Sequence, residues 1–265
     1  MSSVKSYLSL IKFSHTIFAM PFAMIGFFEG LHFIQQHNNN TVDSQHYFIT
    51  FILVLLCMVT ARSSAMAFNR YLDHRIDALN PRTAIREIPA GIIKPTSALT
   101  FTILSSLLFV IACYFINPLC FYLSFVALFV ILFYSYTKRF TALCHLVLGL
   151  GLSLAPIGAF LTLTAQFNWV PVLFSLVVIT WVSGFDIIYA LQDEQFDSSQ
   201  NLHSIPVMLG TKGALGFSRI LHILSALFVL MAGYFSQAGL LYYLGALFFI
   251  GMLIFQQLLV KPGDL

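Results

Sequence analysis

Charged side chains are scarce in this sequence: Asp, Glu, Lys and Arg together form 9% of its 265 residues, whereas 59% are hydrophobic. This ratio excludes an ordinary soluble domain, whose surface would need far more charge. The net charge of +3 is small and the basic residues are scattered, which excludes nucleic acid as a favoured partner. The four cysteines have no Cys-x-x-Cys spacing, and we expect them to act as small hydrophobic side chains.

Long apolar runs are what the sequence has instead. A transmembrane helix needs about 20 predominantly apolar residues, and eight runs approach or exceed that length. The sequence therefore predicts an all-α, polytopic integral membrane bundle of about eight helices, preceded by an interfacial helix over residues 4–14. The eight runs cover residues 16–34, 47–68, 97–115, 118–136, 142–163, 170–192, 214–234 and 238–259.

Lysine and arginine divide unevenly among the connections between these runs. The connections after the first, third, fifth and seventh runs contain neither residue. By the positive-inside rule, we expect the other three connections and both termini to lie in the cytoplasm. The basic residues of those three connections are Arg70, Arg75, Arg82, Arg86, Lys94, Lys138, Arg139 and Lys212.

One polar stretch follows the second apolar run. If the helix continues through it, Asn69, Asp73 and Asp77 fall at i, i+4 and i+8 on one face. Like charges at i, i+4 destabilise a helix by a few tenths of a kcal/mol, so a cation is expected between the two acids. Neither Arg70 nor Arg75 lies three or four residues from both. Mg²⁺, which prefers carboxylate oxygens, is one interpretation, and a solvated charged helix end is the other.

A second copy of this spacing favours the metal. Asp193 and Asp197 follow the end of the sixth apolar run, with Tyr189 four residues before Asp193. A polar loop over residues 198–213 is expected to follow. Each aspartate lies four spans after its counterpart in the first motif, which indicates an internal duplication. We therefore predict one domain over residues 1–265, with two pseudo-repeat halves at about 16–136 and 142–259 and a site between them.

Basic side chains share the predicted cytoplasmic face with the aspartates. Arg82, Arg86, Lys138 and Arg139 are either topology signals or groups that hold the oxygens of a diphosphate. Asp186 lies seven residues before Asp193, too deep in the run for a solvated helix end. The histidines show no ligand spacing, and we expect structural roles for them. A membrane site with acids, Mg²⁺ and bases suits a substrate that is diphosphate at one end and apolar at the other, such as a polyprenyl diphosphate.

The motifs resemble those of the UbiA superfamily of intramembrane aromatic prenyltransferases over nearly the whole chain. The matching segments are Asn69-Arg70-x-x-Asp73-x-x-x-Asp77, Asn80-Pro81-Arg82-Thr83-x-x-Arg86 and Gly184-Phe185-Asp186-x-x-Tyr189-x-x-x-Asp193-x-x-x-Asp197. The resemblance implies helices around a central cavity, usually nine of them where this chain has eight, and Mg²⁺ dependence. It also implies catalytic roles for Asp73, Asp77, Asp193, Asp197, Asn69 and Arg139, with the four aspartates as metal ligands, and substrate binding by Lys12, Arg82, Arg86, Lys138, Asp186 and Tyr189.

The branch that this chain resembles is the one labelled 4-hydroxybenzoate polyprenyltransferase. The expected reaction is Mg²⁺-dependent transfer of a polyprenyl group from its diphosphate to the ring of an aromatic acid in quinone biosynthesis. Transfer to 1,4-dihydroxy-6-naphthoate for menaquinone is an open alternative, as is a haem-type prenyltransferase. A membrane transporter is the non-enzymatic alternative. The basic connections predict that the site faces the cytoplasm, and we expect the membrane to be a bacterial inner membrane.

Overall fold

The computed structural model describes residues 3–37 and 44–260, and within them it contains helices and connections but no strand. The predicted all-α class is confirmed. The described residues form ten α-helices and one short 3₁₀ turn, joined by connections. They are α1 (Ser3–Leu10), α2 (Phe13–His37), α3 (Ser44–Leu79), α4 (Pro95–Ile116), α5 (Pro118–Thr137), α6 (Cys144–Thr164), α7 (Trp169–Ala190), the 3₁₀ turn (Leu191–Asp193), α8 (Glu194–Ser199), α9 (Ile205–Phe235) and α10 (Leu240–Leu259).

Eight helical stretches of the described residues are long and apolar enough to cross a membrane. This confirms the predicted bundle of about eight spans. Large apolar side chains such as Leu241, Leu247 and Phe248 are exposed along these helices, as expected of surfaces that face lipid. Part of the predicted connection after the first span, residues 38–43, lies outside the described residues.

The predicted polar loop over residues 198–213 is partly wrong. Helix α9 begins at Ile205, where the Ser204 hydroxyl accepts a hydrogen bond from the backbone N–H of Val207 and Pro206 occupies the first turn. Serine and proline at these positions favour the start of a helix. Within α9, Gly210 has the non-helical angles φ 65 and ψ 171, a conformation that suits glycine.

The chain divides into two compact units. The first consists of residues 1–136 and 158–167, and the second of residues 137–157 and 168–265. In the first unit, α3 packs along α4, and the hydroxyls of Ser64 and Ser106 are 2.7 Å apart. The proposed pseudo-repeat halves at 16–136 and 142–259 remain a prediction.

In the second unit, α7 and α9 lie so close that hydroxyls of α9 bond to carbonyls of α7. Ser218 donates to the Gly184 carbonyl at 2.8 Å, and Ser225 donates to the Val177 carbonyl at 3.0 Å. A Cβ on Gly184 would lie 2.6 Å from Nε2 of His222, so this approach requires glycine. The second aspartate motif follows directly from α7 and therefore begins from a well-fixed helix.

Candidate active site

The first aspartate motif lies on an unbroken helix, which is the condition under which its spacing predicts a shared face. Helix α3 runs through Asn69, Asp73 and Asp77 and ends at Leu79, which places the three side chains on one face. The Asn69 side chain donates a hydrogen bond to Oδ2 of Asp73 at 3.1 Å. Asn69 therefore orients one carboxylate of the pair.

Asp77 is only 7% exposed and has arginine partners. Nη1 of Arg86 donates a hydrogen bond to its Oδ1 at 2.7 Å, and Nη1 of Arg70 lies 3.8 Å from its Oδ2. Helical spacing could not reveal Arg86, which lies nine residues further along in the following connection. Oδ2 accepts no hydrogen bond from the residues that the structure describes.

The connection after α3 is folded so that it returns Arg86 to the helix. The Thr83 hydroxyl donates to the Asp77 carbonyl at 2.9 Å, and the Asn80 side chain accepts from the backbone N–H of Arg82 at 2.9 Å. The backbone N–H of Arg86 then donates to the Thr83 carbonyl at 3.0 Å. The polar residues after the helix thus form a turn, and that turn sets the position of Arg86.

Helix α1 also packs against the connection that follows α3. The Ser9 hydroxyl donates a hydrogen bond to the Glu87 carboxylate, and Leu10 packs with Ile88 and Ile93 in a buried cluster. Glu87 and Ile88 directly follow Arg86. The N-terminal helix therefore stabilises the segment that carries the main cation partner of Asp77.

The second aspartate motif spans a break in the helix. Helix α7 ends at Ala190, a 3₁₀ turn covers Leu191–Asp193, and α8 begins at Glu194. Asp197 in α8 has 0% exposure, and its Oδ1 lies 2.7 Å from Nζ of Lys138. Oδ2 of Asp197, like that of Asp77, accepts no hydrogen bond from the described part of the chain.

Lys138 reaches Asp197 from the connection between α5 and α6. The Lys138 carbonyl accepts a hydrogen bond from the backbone N–H of His203 at 2.8 Å, and the Cys144 thiol lies 3.6 Å from the His203 carbonyl. Beyond α8, the Thr211 hydroxyl donates to the Glu194 carboxylate at 2.9 Å. The first two contacts tie the region of Lys138 and Cys144 to the segment that follows the second motif, and the third ties α9 to the motif itself.

One further contact near the second motif could not be found from spacing along the sequence. His145, at the start of α6, is 4% exposed, and its Nδ1 lies 2.7 Å from Oδ2 of Asp186 on α7. The expectation of a structural histidine overlooks this pair, because 41 residues separate the partners. Asp186, a predicted substrate-binding residue, therefore already has a cation-capable partner.

The remaining predicted site residues lie at the helix ends and connections. Asp73 and Asp193 are half-buried, as is Arg82, whereas Lys12 and Arg139 are exposed. Tyr189, in the last turn of α7, is also exposed. Among the described residues, no group of three or more His, Cys, Asp or Glu side chains could hold a metal ion by itself.

The aspartates nevertheless suit Mg²⁺. Each motif has one buried carboxylate, on Asp77 or Asp197, with an Oδ2 that no described hydrogen-bond donor satisfies. A buried and unsatisfied carboxylate oxygen is costly, and a hard divalent cation would satisfy it. The donor set is therefore chemically suited to the metal that the spacing predicts.

The fold and the site define a class of protein. It is a helical integral membrane protein with two Asp-x-x-x-Asp pairs, and a basic side chain contacts one carboxylate of each pair. The chain belongs to the UbiA prenyltransferase family, whose model matches residues 16–265. It is 32% identical over 164 residues to a 4-hydroxybenzoate octaprenyltransferase from Francisella tularensis subsp. novicida, covering 61% of this chain. The match spans 57% of that relative, little more than half of its length.

Solved structures of the same family share the fold. An apo UbiA homolog from Aeropyrum pernix K1 has a TM-score of 0.82 at 28% identity, with coverage of 92% of this chain and 88% of that one. A UbiA homolog from Archaeoglobus fulgidus bound to DMAPP and Mg²⁺ has a TM-score of 0.74 at 18% identity, with coverage of 96% and 86%. The architecture is thus that of a known family of membrane prenyltransferases.

Proposed function

We propose that this protein transfers a polyprenyl group from a polyprenyl diphosphate to the ring of an aromatic acid of the 4-hydroxybenzoate type, with Mg²⁺ as cofactor, in quinone biosynthesis. The observation that carries the proposal is the buried, cation-paired carboxylate with an unsatisfied Oδ2 in each motif, at Asp77 and at Asp197. The names of the curated relatives support the acceptor class. The ligands bound in the Archaeoglobus fulgidus structures, DMAPP, GPP and Mg²⁺, support the donor class.

The four aspartates would hold the metal. Bound Mg²⁺ would neutralise the diphosphate and help it to leave with the electron pair of the broken C–O bond. In this assignment Asp73, Asp77, Asp193 and Asp197 are the ligands, and Asn69 orients Asp73 through its 3.1 Å hydrogen bond. An amide that fixes a ligand in this way raises the affinity of the site without itself touching the metal.

Basic side chains would bind the diphosphate oxygens. Arg86 and Lys138 are the strongest candidates, because each already lies 2.7 Å from a motif carboxylate. Charge-assisted hydrogen bonds to phosphate are about twice as strong as neutral ones, and arginine can donate two in parallel. Arg82, Arg139 and Lys12 belong to the same proposed set through the family motif. Their role would be to hold the donor as its negative charge shifts onto the departing diphosphate.

The lipid bilayer and the aromatic residues would serve the apolar part of the reaction. A polyprenyl chain is as apolar as lipid, and the sequence has 28 Phe and 11 Tyr whose ring faces can stabilise a passing carbocation. We further propose that the protein lies in a bacterial inner membrane with its aspartates toward the cytoplasm, since the basic connections are expected on that side. A soluble aromatic acid would then reach the site from the compartment in which it is made.

An assay of the purified chain in lipid nanodiscs tests the proposal. One labelled polyprenyl diphosphate would be offered with 4-hydroxybenzoate, other phenolic acids and 1,4-dihydroxy-6-naphthoate, with and without EDTA. We expect labelled prenyl 4-hydroxybenzoate and release of diphosphate, both abolished by EDTA and restored by Mg²⁺. Transfer only to the naphthoate would replace the proposed acceptor, and no transfer to any ring would overturn the function.

A further inference from the structure

We infer that His145 is a positioning residue that holds Asp186 in place for the aromatic acceptor. The inference rests on the proposed function and adds a residue whose position in the sequence indicates only a structural role. His145 stands at the start of α6, and its Nδ1 lies 2.7 Å from Oδ2 of Asp186 on α7. Because an ionised carboxylate can only accept, the imidazole N–H is the donor.

Helices α6 and α7 pack closely around the His145–Asp186 contact, and this packing restricts the positions of both side chains. The Ser183 hydroxyl donates to the backbone carbonyl of His145 at 3.0 Å, which ties the histidine main chain to α7 three residues before Asp186. Four residues along α6, a Cβ on Gly149 would lie 2.7 Å from the Ile179 carbonyl, so glycine is needed for the close approach. One rotamer of His145, which is 4% exposed, thus sets one orientation of Asp186.

Asp186 is placed to meet a substrate, whereas His145 is not. The Asp186 side chain remains 29% exposed, but that of His145 is only 5% exposed. An interaction of His145 with substrate must therefore pass through the aspartate. A carboxylate with one oxygen held by an imidazole and part of its surface exposed can accept a hydrogen bond from a phenolic hydroxyl.

The His145–Asp186 pair is better suited to bind the aromatic acceptor than the diphosphate of the donor. Seven residues separate Asp186 from Asp193, which corresponds to about 10 Å along a helix. A further carboxylate beside a diphosphate would repel it, whereas a phenolic acceptor needs a hydrogen-bond acceptor for its hydroxyl. The depth of Asp186 within the apolar part of α7 also suits a ring better than a charged phosphate.

Another histidine of the second unit provides a matched control. His222 on α9 is 3% exposed, and like His145 it has a buried Nε2 with no hydrogen-bond partner in the described chain. Its Nδ1 lies 2.9 Å from the side-chain nitrogen of Gln257 on α10, not from a carboxylate. His222 packs against Gly184, two residues before Asp186, so its loss removes a buried imidazole from the same region without removing the hydrogen bond that Asp186 receives.

The test compares H145L, H145N and H222L in the nanodisc assay, with the Michaelis constants for donor and acceptor measured separately. Asparagine can place an amide N–H near the position of Nδ1, whereas leucine cannot. Loss of a hydrogen bond to a charged group costs roughly tenfold in affinity. We expect H145L to raise the acceptor KM by roughly that factor and to leave the donor KM unchanged, and we expect H145N to restore most of the loss. H222L should shift both constants equally or not at all.

A double variant separates positioning from a general loss of structure. If His145 acts through Asp186, adding H145L to D186N should cost nothing beyond D186N alone. Additive losses, equal effects of H145L on both substrates, or a normal acceptor KM in H145L would overturn the inference while the proposed function stood. Absence of any aromatic transfer by the wild-type protein would overturn both.

Discussion

The two aspartate motifs share one spacing but differ in their backbones. Asp73 and Asp77 stand on the continuous helix α3, whereas Asp193 ends a 3₁₀ turn and Asp197 lies on the separate helix α8. Asp197 has 0% exposure beyond this break, while Asp77 keeps 7%. Two aspartates four residues apart can thus stand on different local structures, because their spacing fixes the number of residues between them and not the backbone conformation.

The cations of the two motifs also differ. Asp77 has two arginines, one on its own helix and one returned by the following turn. The cation beside Asp197 is Lys138, which comes from the connection before α6. Arginine presents a planar fork with five donors, whereas lysine is a compact charge on a flexible stem. The first motif is therefore the better suited to bidentate phosphate binding, and the second depends more heavily on one residue.

Replacing a motif aspartate by asparagine should have the largest effect. Removal of a group that merely orients a metal ligand costs 10–100-fold in affinity or activity, so loss of a ligand should cost about a hundredfold or more. We expect this loss of turnover in D77N and in D197N, with both proteins still folded. Prenyl transfer under saturating substrate and circular dichroism check the two statements. N69A, which removes only the orienting amide, is the control and should lose less.

The proposal that both motifs hold metal would be wrong if D77N lost activity and D197N did not. In that case only the motif on the continuous helix would hold metal, and the second would be structural. Near-normal turnover in both variants would remove the metal-ligand assignment altogether.

Replacing Arg86 by alanine should act mainly on the donor. Arg86 is assigned to the diphosphate, and a lost charge-assisted hydrogen bond weakens binding roughly tenfold. We expect the KM for polyprenyl diphosphate to rise by about that factor, more than the KM for the acceptor. R86K keeps the charge without the fork and should be intermediate. Equal changes in both constants would return Arg86 to a role in topology alone.

Removal of Lys138 should reduce stability more than removal of Arg86. K138A leaves the fully buried Asp197 without the Lys138 charge. Because the Lys138 side chain is itself 37% exposed, loss of this partly solvated pair should cost about 2–3 kcal/mol. In R86A, Asp77 still has Arg70 nearby. Thermal unfolding in detergent should therefore begin at a lower temperature for K138A, with K212A, which removes an exposed lysine of α9, as the control. A smaller shift in K138A than in R86A would show that Asp197 depends less on its lysine than the ion pair indicates.

The smallest expected effect concerns two glycines of α6. G149A would push a Cβ to 2.7 Å from the Ile179 carbonyl, and overpacking of this kind costs about 2 kcal/mol. Gly158 has no atom within 4 Å of a Cβ, so G158A should be neutral or slightly stabilising in a helix. Unfolding temperatures of the two variants test the close packing of α6 on α7. An equal fall in unfolding temperature in G149A and G158A would show that the contact of Gly149 with α7 does not determine the loss of stability.

Most of the helical architecture could be predicted from the sequence. Apolar runs of sufficient length leave helices as the spanning solution, because every backbone polar group must be satisfied within the segment. The break at Leu191 could not be predicted, since no glycine or proline marks it. Leu191 packs with Ile205 and Leu215, which are more than ten residues away along the chain, and periodicity does not report such contacts.

The candidate site was predictable only where its residues share a helix. Asn69 and Asp73 interact at i, i+4, and that contact follows from helical geometry. The Asp77–Arg86 contact depends on a turn made by Asn80 and Thr83, and the His145–Asp186 contact depends on the packing of two helices. Both require tertiary structure, which residue spacing along one chain does not contain.

The ion pairs of Asp77 and Asp197 have a consequence for the order in which ligands bind. Arg86 and Lys138 act as internal counter-ions at Oδ1 of the two carboxylates, so Mg²⁺ accepted at Oδ2 would join a site that already holds a cation. Metal alone would therefore place two positive groups on one carboxylate, whereas a diphosphate bound with it would supply the missing negative charge. In the proposed function, we expect Mg²⁺ and the diphosphate to bind together more strongly than either binds alone.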